Sequence, residues 1–162
     1  MLGLLMATYE MNHFKDEYQP QVIANAKAFA KALKEQGLDV AGDPAYDYTE
    51  THQVLLNVGY GKGPEMARLL EENNIIVNYQ AAPTEESFTA SGSLRMGVSE
   101  MTRFGMAEQD FNYLAELMHA VIVKGKNVQQ RVTNYRKRFL NMQYCFSEHD
   151  FSKAMRKLYR LI

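Results

Sequence analysis

Short apolar segments that alternate with helical patterns constrain the fold of this chain most strongly. Four such segments occur, each rich in aliphatic residues, at 38–41, 52–58, 75–78 and 94–98. Segments of about four to eight residues with this composition are typical of strands. The predicted order is one helical region, two strands, a helix, two strands and further helices. This order predicts an α/β sandwich of the α+β type, in which a small, mostly antiparallel sheet is covered by helices on one face.

The first helical region contains a proline. Apolar residues have helical spacing over 2–17 and again over 22–33. Because proline lacks a backbone N–H, Pro20 predicts a bend or a restart between the two stretches. Gly37 is expected to end the region, and Pro64 is expected in the first turn of the next helix.

The last third of the chain is predicted to be helical. One helix is expected to begin at Ala107 with an acidic first turn, which suits the helix dipole. A second helix is indicated by the spacing of Val128, Val132, Tyr135 and Phe139. A final helix over 147–162, with Ser147 as its cap, is indicated by Phe151, Met155, Leu158 and Ile162.

Composition excludes several classes of function. The 162 residues suffice for one domain with its own core, and a net charge of −1 argues against nucleic acid or an acidic membrane as partner. Cys145 is the only cysteine, so an internal disulfide is impossible and a reducing cytoplasm is expected. Segment 1–7 is apolar but too short for a membrane span or a signal peptide. The four histidines are scattered, so no metal site is predicted.

Arg95 is the strongest candidate for a binding residue. It lies in a predicted strand within the sequence SGSLRMG of 91–97, among serines and glycines. Small neighbours leave room for a ligand to approach, and a guanidinium presents a fork of donors that matches a carboxylate. The alternative is an arginine that pairs with a structural carboxylate of the protein itself.

Two other motifs favour structural interpretations. The glycine-rich segment 59–63 lacks both the phosphate-loop ending and the dinucleotide-binding spacing, so a strand-to-helix turn explains it better. The basic segment 131–138 has apolar residues at core spacing, which favours a solvated helix face over a nucleic-acid surface. Neither a nucleophile elbow nor a pair of catalytic carboxylates is visible, so no catalytic residue is predicted in this chain.

Five segments in the same order resemble the C-terminal small domain of the serine hydroxymethyltransferase family, which are pyridoxal-phosphate enzymes. They are EYQPQVIANAKAFA (17–30), THQVLLN (51–57), IIVN (75–78), SGSLRMG (91–97) and MTRFGM (101–106). The resemblance covers most of the chain. It implies the fold of the small domain of aminotransferase-type pyridoxal-phosphate enzymes. The implied organisation is the end of an inter-domain helix (1–20), the small domain (21–146) and an extra helix (147–162).

The resemblance also implies roles for individual residues. Arg95 is expected to bind the α-carboxylate of the amino acid that is joined to pyridoxal phosphate. His52, Asn78, Gln80 and Ser91 are expected near the amino acid or near tetrahydrofolate. A small amino acid is then the expected substrate, and a homodimer in the cytoplasm is the expected assembly of the full-length protein.

Three positions depart from the family pattern. Asn57 replaces the usual aspartate, Gln80 replaces an asparagine that contacts folate, and Phe104 replaces an arginine. The segment SGSLR (91–95) also carries an extra or shifted residue relative to the family motif. These changes affect the one-carbon acceptor more than the amino-acid site. A folate-independent β-hydroxy amino acid aldolase or transaldolase is therefore an open alternative to a serine/glycine hydroxymethyltransferase.

The cofactor lysine of the family has no counterpart here. That lysine lies in a threonine-rich segment upstream of the matched region, and no lysine of this chain has such a setting. The chain also begins inside a helical pattern with no capping residue, which fits either a natural start or a boundary within a longer protein. We therefore expect a fragment that is inactive alone, whose missing partner is an N-terminal large domain. The remaining alternative is a non-catalytic oligomerisation or amino-acid-binding module.

Overall fold

The fold consists of six α-helices and four short strands within the part of the chain that the computed structural model describes, residues 2–87 and 90–159. The side chains of 2, 154, 155 and 157–159 lie outside this description. The elements in chain order are α1 (Leu2–Glu35), β1 (Asp39–Val40), a 3-10 turn (Pro44–Tyr46), β2 (Gln53–Asn57), α2 (Gly63–Glu71), β3 (Asn78–Gln80), β4 (Ser93–Gly97), α3 (Ser99–Arg103), α4 (Glu108–Ile122), α5 (Gln129–Arg136) and α6 (Glu148–Tyr159).

The four strands form one antiparallel sheet in the order β1-β2-β4-β3. Leu55 of β2 pairs with Arg95 of β4, and Arg95 pairs with Asn78 of β3 on its other side. The predicted α/β sandwich with a small antiparallel sheet is therefore confirmed. For three of the four strands, both predicted ends lie within two residues of the observed ends.

One face of the sheet packs on the helices. Val54, Leu56, Leu94 and Met96 alternate along β2 and β4 and are buried in the same core as α1 and α4. Side chains of a strand point alternately to its two faces. The residues between them therefore belong to the opposite face, which these helices leave open.

The predicted restart at Pro20 is wrong, because α1 continues through this residue from Leu2 to Glu35, whereas the predicted bend stays a prediction. Pro20 is exposed. Contacts on both sides of it hold the helix: Tyr18 bonds to the backbone of Ser99, and Val22 begins the stripe that is buried against α4. The expected domain boundary after residue 20 falls inside this helix and remains a prediction.

Substitution of Pro20 by alanine should stabilise the fold. It restores an N–H to the helix and removes a clash with the preceding turn, so the free energy of unfolding should rise by about 1–3 kcal/mol. Urea denaturation of the two proteins measures this change. A decrease would mean that the proline is adapted to a bend that the packed helix requires.

The predicted strand at 75–78 is also wrong in its position, because β3 begins at Asn78. Asn74 adopts a left-handed conformation (φ 63°), and the Ile75 N–H donates to Leu70 O, so this segment still ends α2. Ile75 enters the core, whereas Ile76 is 86% exposed. The short helix α3 was not predicted, since it precedes the helix expected from Ala107, and Gly105 (φ 89°) lies in the turn between the two.

The final helix is confirmed over Glu148–Tyr159, and its predicted cap is present, since the Asp150 N–H donates to the Ser147 hydroxyl. Ile162, the last residue of the predicted stripe, lies outside the described residues, as do the side chains of Met155 and Leu158. Phe151 is exposed. Of the helices described, none has both the length and the apolar character that crossing a bilayer requires.

Candidate ligand-binding face of the sheet

Arg95 lies on the open face of the sheet. Its neighbours Leu94 and Met96 are buried on the helix side, whereas Arg95 is exposed on the other side. Among residues 2–87 and 90–159, its guanidinium makes neither a hydrogen bond nor an ion pair. All of its donors therefore remain available for an anion. This geometry argues against the alternative in which Arg95 pairs with a carboxylate of this chain.

Asn78 lies directly beside Arg95. The two residues are register partners on β3 and β4, which places their Cβ atoms about 5 Å apart on one face. The Asn78 Oδ1 accepts a hydrogen bond from the Tyr79 N–H (2.9 Å). Its NH₂ group makes no hydrogen bond within the described chain, so it offers a second set of donors next to the guanidinium.

A row of polar side chains crosses the sheet beside this pair. The Ser93 hydroxyl donates to Asn57 Oδ1 (2.8 Å), and the Asn57 NH₂ donates to Asp39 Oδ2 (3.1 Å). Gln80 is the register partner of Ser93 on the far side. An amide at position 57 both accepts and donates, whereas an aspartate would face Asp39 with a like charge. The local contacts thus explain the asparagine at this position.

His52 lies at the other end of the same face. It is exposed, and its backbone oxygen accepts a hydrogen bond from the Val98 N–H (3.1 Å). Its Cδ2 is 3.6 Å from the point where a Cβ of Gly97 would lie. Gly97 follows Arg95 by two residues and so shares its face. The imidazole therefore borders the space that Gly97 leaves free, two residues beyond Arg95.

Ser91 has a different environment. It is nearly buried, has φ 38°, and its backbone oxygen accepts from the Gly63 N–H (2.8 Å). Two further backbone bonds, from Val58 to Gly92 and from Gly61 to Ala90, join the same two loops. The structure therefore places Ser91 at a loop junction, apart from the row that contains Arg95. It also confirms 59–63 as a strand-to-helix turn, with Pro64 in the first turn of α2.

Glu85 was not predicted as a site residue. Its carboxylate accepts hydrogen bonds from the backbone N–H groups of Ala82 (2.5 Å) and Gly92 (2.9 Å), which closes the loop before β4. A Cβ on Gly92 would lie 2.0 Å from Glu85 Oε1. The glycine of the SG pair thus leaves free the space that this carboxylate, seven residues away, occupies, and only the glycine itself signals this in the sequence.

Glu86, the exposed residue that follows Glu85, is hydrogen-bonded to Tyr60. The Tyr60 hydroxyl donates to Glu86 (2.6 Å), which lowers the pKa of the Glu86 carboxyl and raises the pKa of the Tyr60 phenol. This bond adds a fourth link between the two loops that the three backbone bonds already join.

The open face suits an anion and does not suit imine chemistry. None of the residues in the four strands is a lysine, and Arg95 is their only cation. Among the described residues, histidine, cysteine and carboxylate side chains form no cluster that could hold a metal ion. The residues present therefore do not fit a covalently held aldehyde cofactor, and they provide only the means to bind a carboxylate or a similar anion.

Comparison with known proteins identifies the family. The family model described as serine hydroxymethyltransferase matches residues 4–118. A serine hydroxymethyltransferase of Pyrobaculum aerophilum is 43% identical over 148 residues, which are 86% of this chain and 34% of that protein. One of Sulfolobus acidocaldarius is 38% identical and covers 94% of this chain and 36% of its own length.

A solved structure is also similar. The crystal structure of L-threonine transaldolase from Pseudomonas fluorescens in its internal aldimine state has a TM-score of 0.81 and 29% sequence identity over 93% of this chain and 36% of that one. The chain thus spans about a third of the length of the proteins that it matches. The resemblance carried by the five sequence segments is confirmed, and this chain belongs to the serine hydroxymethyltransferase family.

Proposed function

We propose that this chain binds the substrate carboxylate in a longer, pyridoxal-phosphate-dependent enzyme that acts on a small amino acid. The observation that carries the proposal is the exposed guanidinium of Arg95, which has no partner among the described residues. Membership of the serine hydroxymethyltransferase family gives the amino acid as the anion. The matched proteins are about three times longer, which supports a separate large domain.

Arg95 is proposed to hold the carboxylate by two parallel N–H···O bonds. Such a bidentate contact fixes orientation as well as position. The cofactor, when bound, supplies an electron sink for the bond to be broken. The Asn78 amide flanks the same position, and His52 and Gln80 extend the polar face on either side. No step of the cofactor chemistry is assigned to these residues.

The isolated chain should form no covalent adduct with pyridoxal phosphate at a defined site. Its lysines lie outside the sheet, so the imine-forming lysine is expected in the large domain. Absorbance of an internal aldimine, followed by borohydride reduction and mass spectrometry, measures this. The full-length enzyme is the positive control. A stoichiometric adduct on one lysine of the 162-residue chain would contradict the proposal and favour a self-contained enzyme.

A second candidate is a folate-independent aldolase or transaldolase. The similarity to L-threonine transaldolase favours it, as do Gln80 and Phe104 at positions that depart from the hydroxymethyltransferase pattern. Serine cleavage by the full-length enzyme, with and without tetrahydrofolate, separates the two. Turnover that requires tetrahydrofolate supports a hydroxymethyltransferase, whereas turnover that an aldehyde acceptor sustains without it supports a transaldolase.

Two further expectations concern the full-length enzyme. We propose a cytoplasmic homodimer, for which the single cysteine and the reducing compartment that it fits give the only support from this chain. If the 162 residues bind an amino acid through Arg95 and no longer protein contains them, a non-catalytic binding module explains the chain better. The reading frame upstream of the first codon decides this.

A further inference from the structure

A chain of buried hydrogen bonds links α1 to the end of β4. Asn25 is 0% exposed, and its NH₂ group donates to the Thr102 hydroxyl (2.8 Å) and to Met106 O (2.8 Å). The Thr102 hydroxyl donates in turn to Val98 O (2.9 Å). Both side chains are buried, and the Asn25 Oδ1 also accepts a hydrogen bond from the Gln21 amide (2.9 Å). A buried polar group that loses its partner destabilises the protein strongly.

Asn25 lies in the segment 17–30, and its partners Thr102 and Met106 lie in the segment 101–106. Both segments are among the five that carry the family resemblance. Neither segment contributes a side chain to the open face. A leucine at position 25 would bury more apolar surface than asparagine does. The hydrogen bonds of an amide are directional, however. They therefore set the distance and rotation of α1 relative to the residues that the amide bonds.

Val98 connects the Thr102 hydroxyl to β4, the strand that carries Arg95. It follows β4 directly, and its N–H donates to His52 O, which is the last hydrogen bond between β2 and β4 at this end. Its oxygen accepts from both the N–H and the hydroxyl of Thr102. The N–H bond is part of the backbone hydrogen bonding of α3. The hydroxyl adds the connection to α1.

A second contact supports the same connection. Tyr18 lies seven residues before Asn25, on the same side of α1, and its hydroxyl donates to Ser99 O (3.0 Å). Further along this side, Glu10 forms an ion pair with Arg103. The polar contacts from α1 thus converge on α3, the helix that begins immediately after β4.

We propose that Asn25 and Thr102 are positioning residues for Arg95. Through Val98, they fix the end of β4 relative to α1, and so hold the strand that carries the guanidinium in one position. This inference rests on the proposed function, since it concerns the binding of the amino-acid carboxylate. The Thr102 hydroxyl is the element that can be removed with least change in shape.

Thr102→Val in the full-length enzyme should raise the KM for the amino acid roughly tenfold, the effect of one buried hydrogen bond, while kcat changes less. Thr102→Ser keeps the hydroxyl and should restore KM to within about twofold of the unsubstituted enzyme, because the same bonds can form. Thr102→Ala is a second variant in case the valine methyl does not fit against Asn25.

Val121→Ala is the matched control. Val121 is buried on α4 in the same core but takes no part in the polar chain, so its truncation destabilises the fold without affecting Val98. An equal rise of KM in Val121→Ala, at a similar loss of unfolding free energy, would overturn the inference. Failure of Thr102→Ser to restore KM would also overturn it.

Amide hydrogen exchange of the 162-residue chain gives a readout that is independent of turnover. Thr102→Val should increase exchange at Val98 more than at Leu56, whereas Val121→Ala should change both alike. Equal changes at both amides in Thr102→Val would contradict a local role. Arg95→Ala separates the two proposals: if it leaves KM unchanged, the proposed function fails. If it raises KM and the Thr102 variants do not, only the positioning role fails.

Discussion

Replacement of Arg95 by alanine in the full-length enzyme should lower kcat/KM for the amino acid by roughly two orders of magnitude or more, with an increased KM. The substitution removes a charged, bidentate anchor, and the open face of the sheet has no other cation that could replace it. The loss of orientation adds to the loss of affinity, because a carboxylate held by fewer bonds no longer fixes the bond to be broken.

The same substitution should leave stability nearly unchanged. Arg95 is exposed and has no partner among the described residues, and substitutions at such positions usually change the free energy of unfolding by less than about 0.5 kcal/mol. Arg95→Lys is the informative variant at this site, since it keeps the charge but loses the planar fork. It should recover only part of the activity.

Arg68→Ala is a matched control for a change of surface charge. Arg68 is an exposed arginine on α2 whose one partner within the described part of the chain is Glu72, four residues further along the same helix. Its loss should leave the kinetics unaltered. If Arg95→Ala behaved like Arg68→Ala, the guanidinium on the sheet would have no role in substrate binding, and the proposed function would have to be abandoned.

Local sequence patterns were sufficient for most of the fold. The alternation of Val54 and Leu56 with Gln53, Leu55 and Asn57 indicates a strand with one buried face, and the structure has that strand. Pro20 was misjudged because propensity alone describes an isolated helix, whereas packing against α4 and α3 holds this one together. The strand predicted at 75–78 was misplaced for a different reason. The turn that ends the preceding helix was not recognised in the sequence.

The candidate site was only partly predictable for a related reason. Arg95 could be identified because its small neighbours are adjacent in sequence. The row of Asp39, Asn57 and Ser93 could not, because it depends on the strand order β1-β2-β4, which brings together residues from three distant segments. A period of two through β2 and β4 would have shown that Asn57 and Ser93 share the face of Arg95, once the pairing was known.

Two consecutive residues of β4 lie on opposite faces of the sheet and differ in burial. Leu94 points to the helices and is fully buried, whereas Arg95 points away from them and is exposed. The pleat alone produces this separation. Changes at Leu94 can therefore be expected to affect stability, and changes at Arg95 to affect binding, whereas Ser93 shares the face of Arg95 but is 0% exposed.

Leu94→Ala is the corresponding test of the buried face, and it should reduce the free energy of unfolding by about 2–5 kcal/mol. Leu94 is 0% exposed and lies opposite Leu56 of β2, which is equally buried, so the truncation leaves a cavity that the sheet cannot easily close. Urea denaturation measures the loss.

Leu140→Ala is the control, since Leu140 is 64% exposed and the same truncation there should cost less than about 0.5 kcal/mol. The folded fraction of Leu94→Ala should still bind the amino acid in the full-length enzyme, because Arg95 keeps its place on the other face. A Leu94→Ala protein as stable as Leu140→Ala would mean that the β4 side chains do not alternate between core and solvent, and that Arg95 does not lie on an open face.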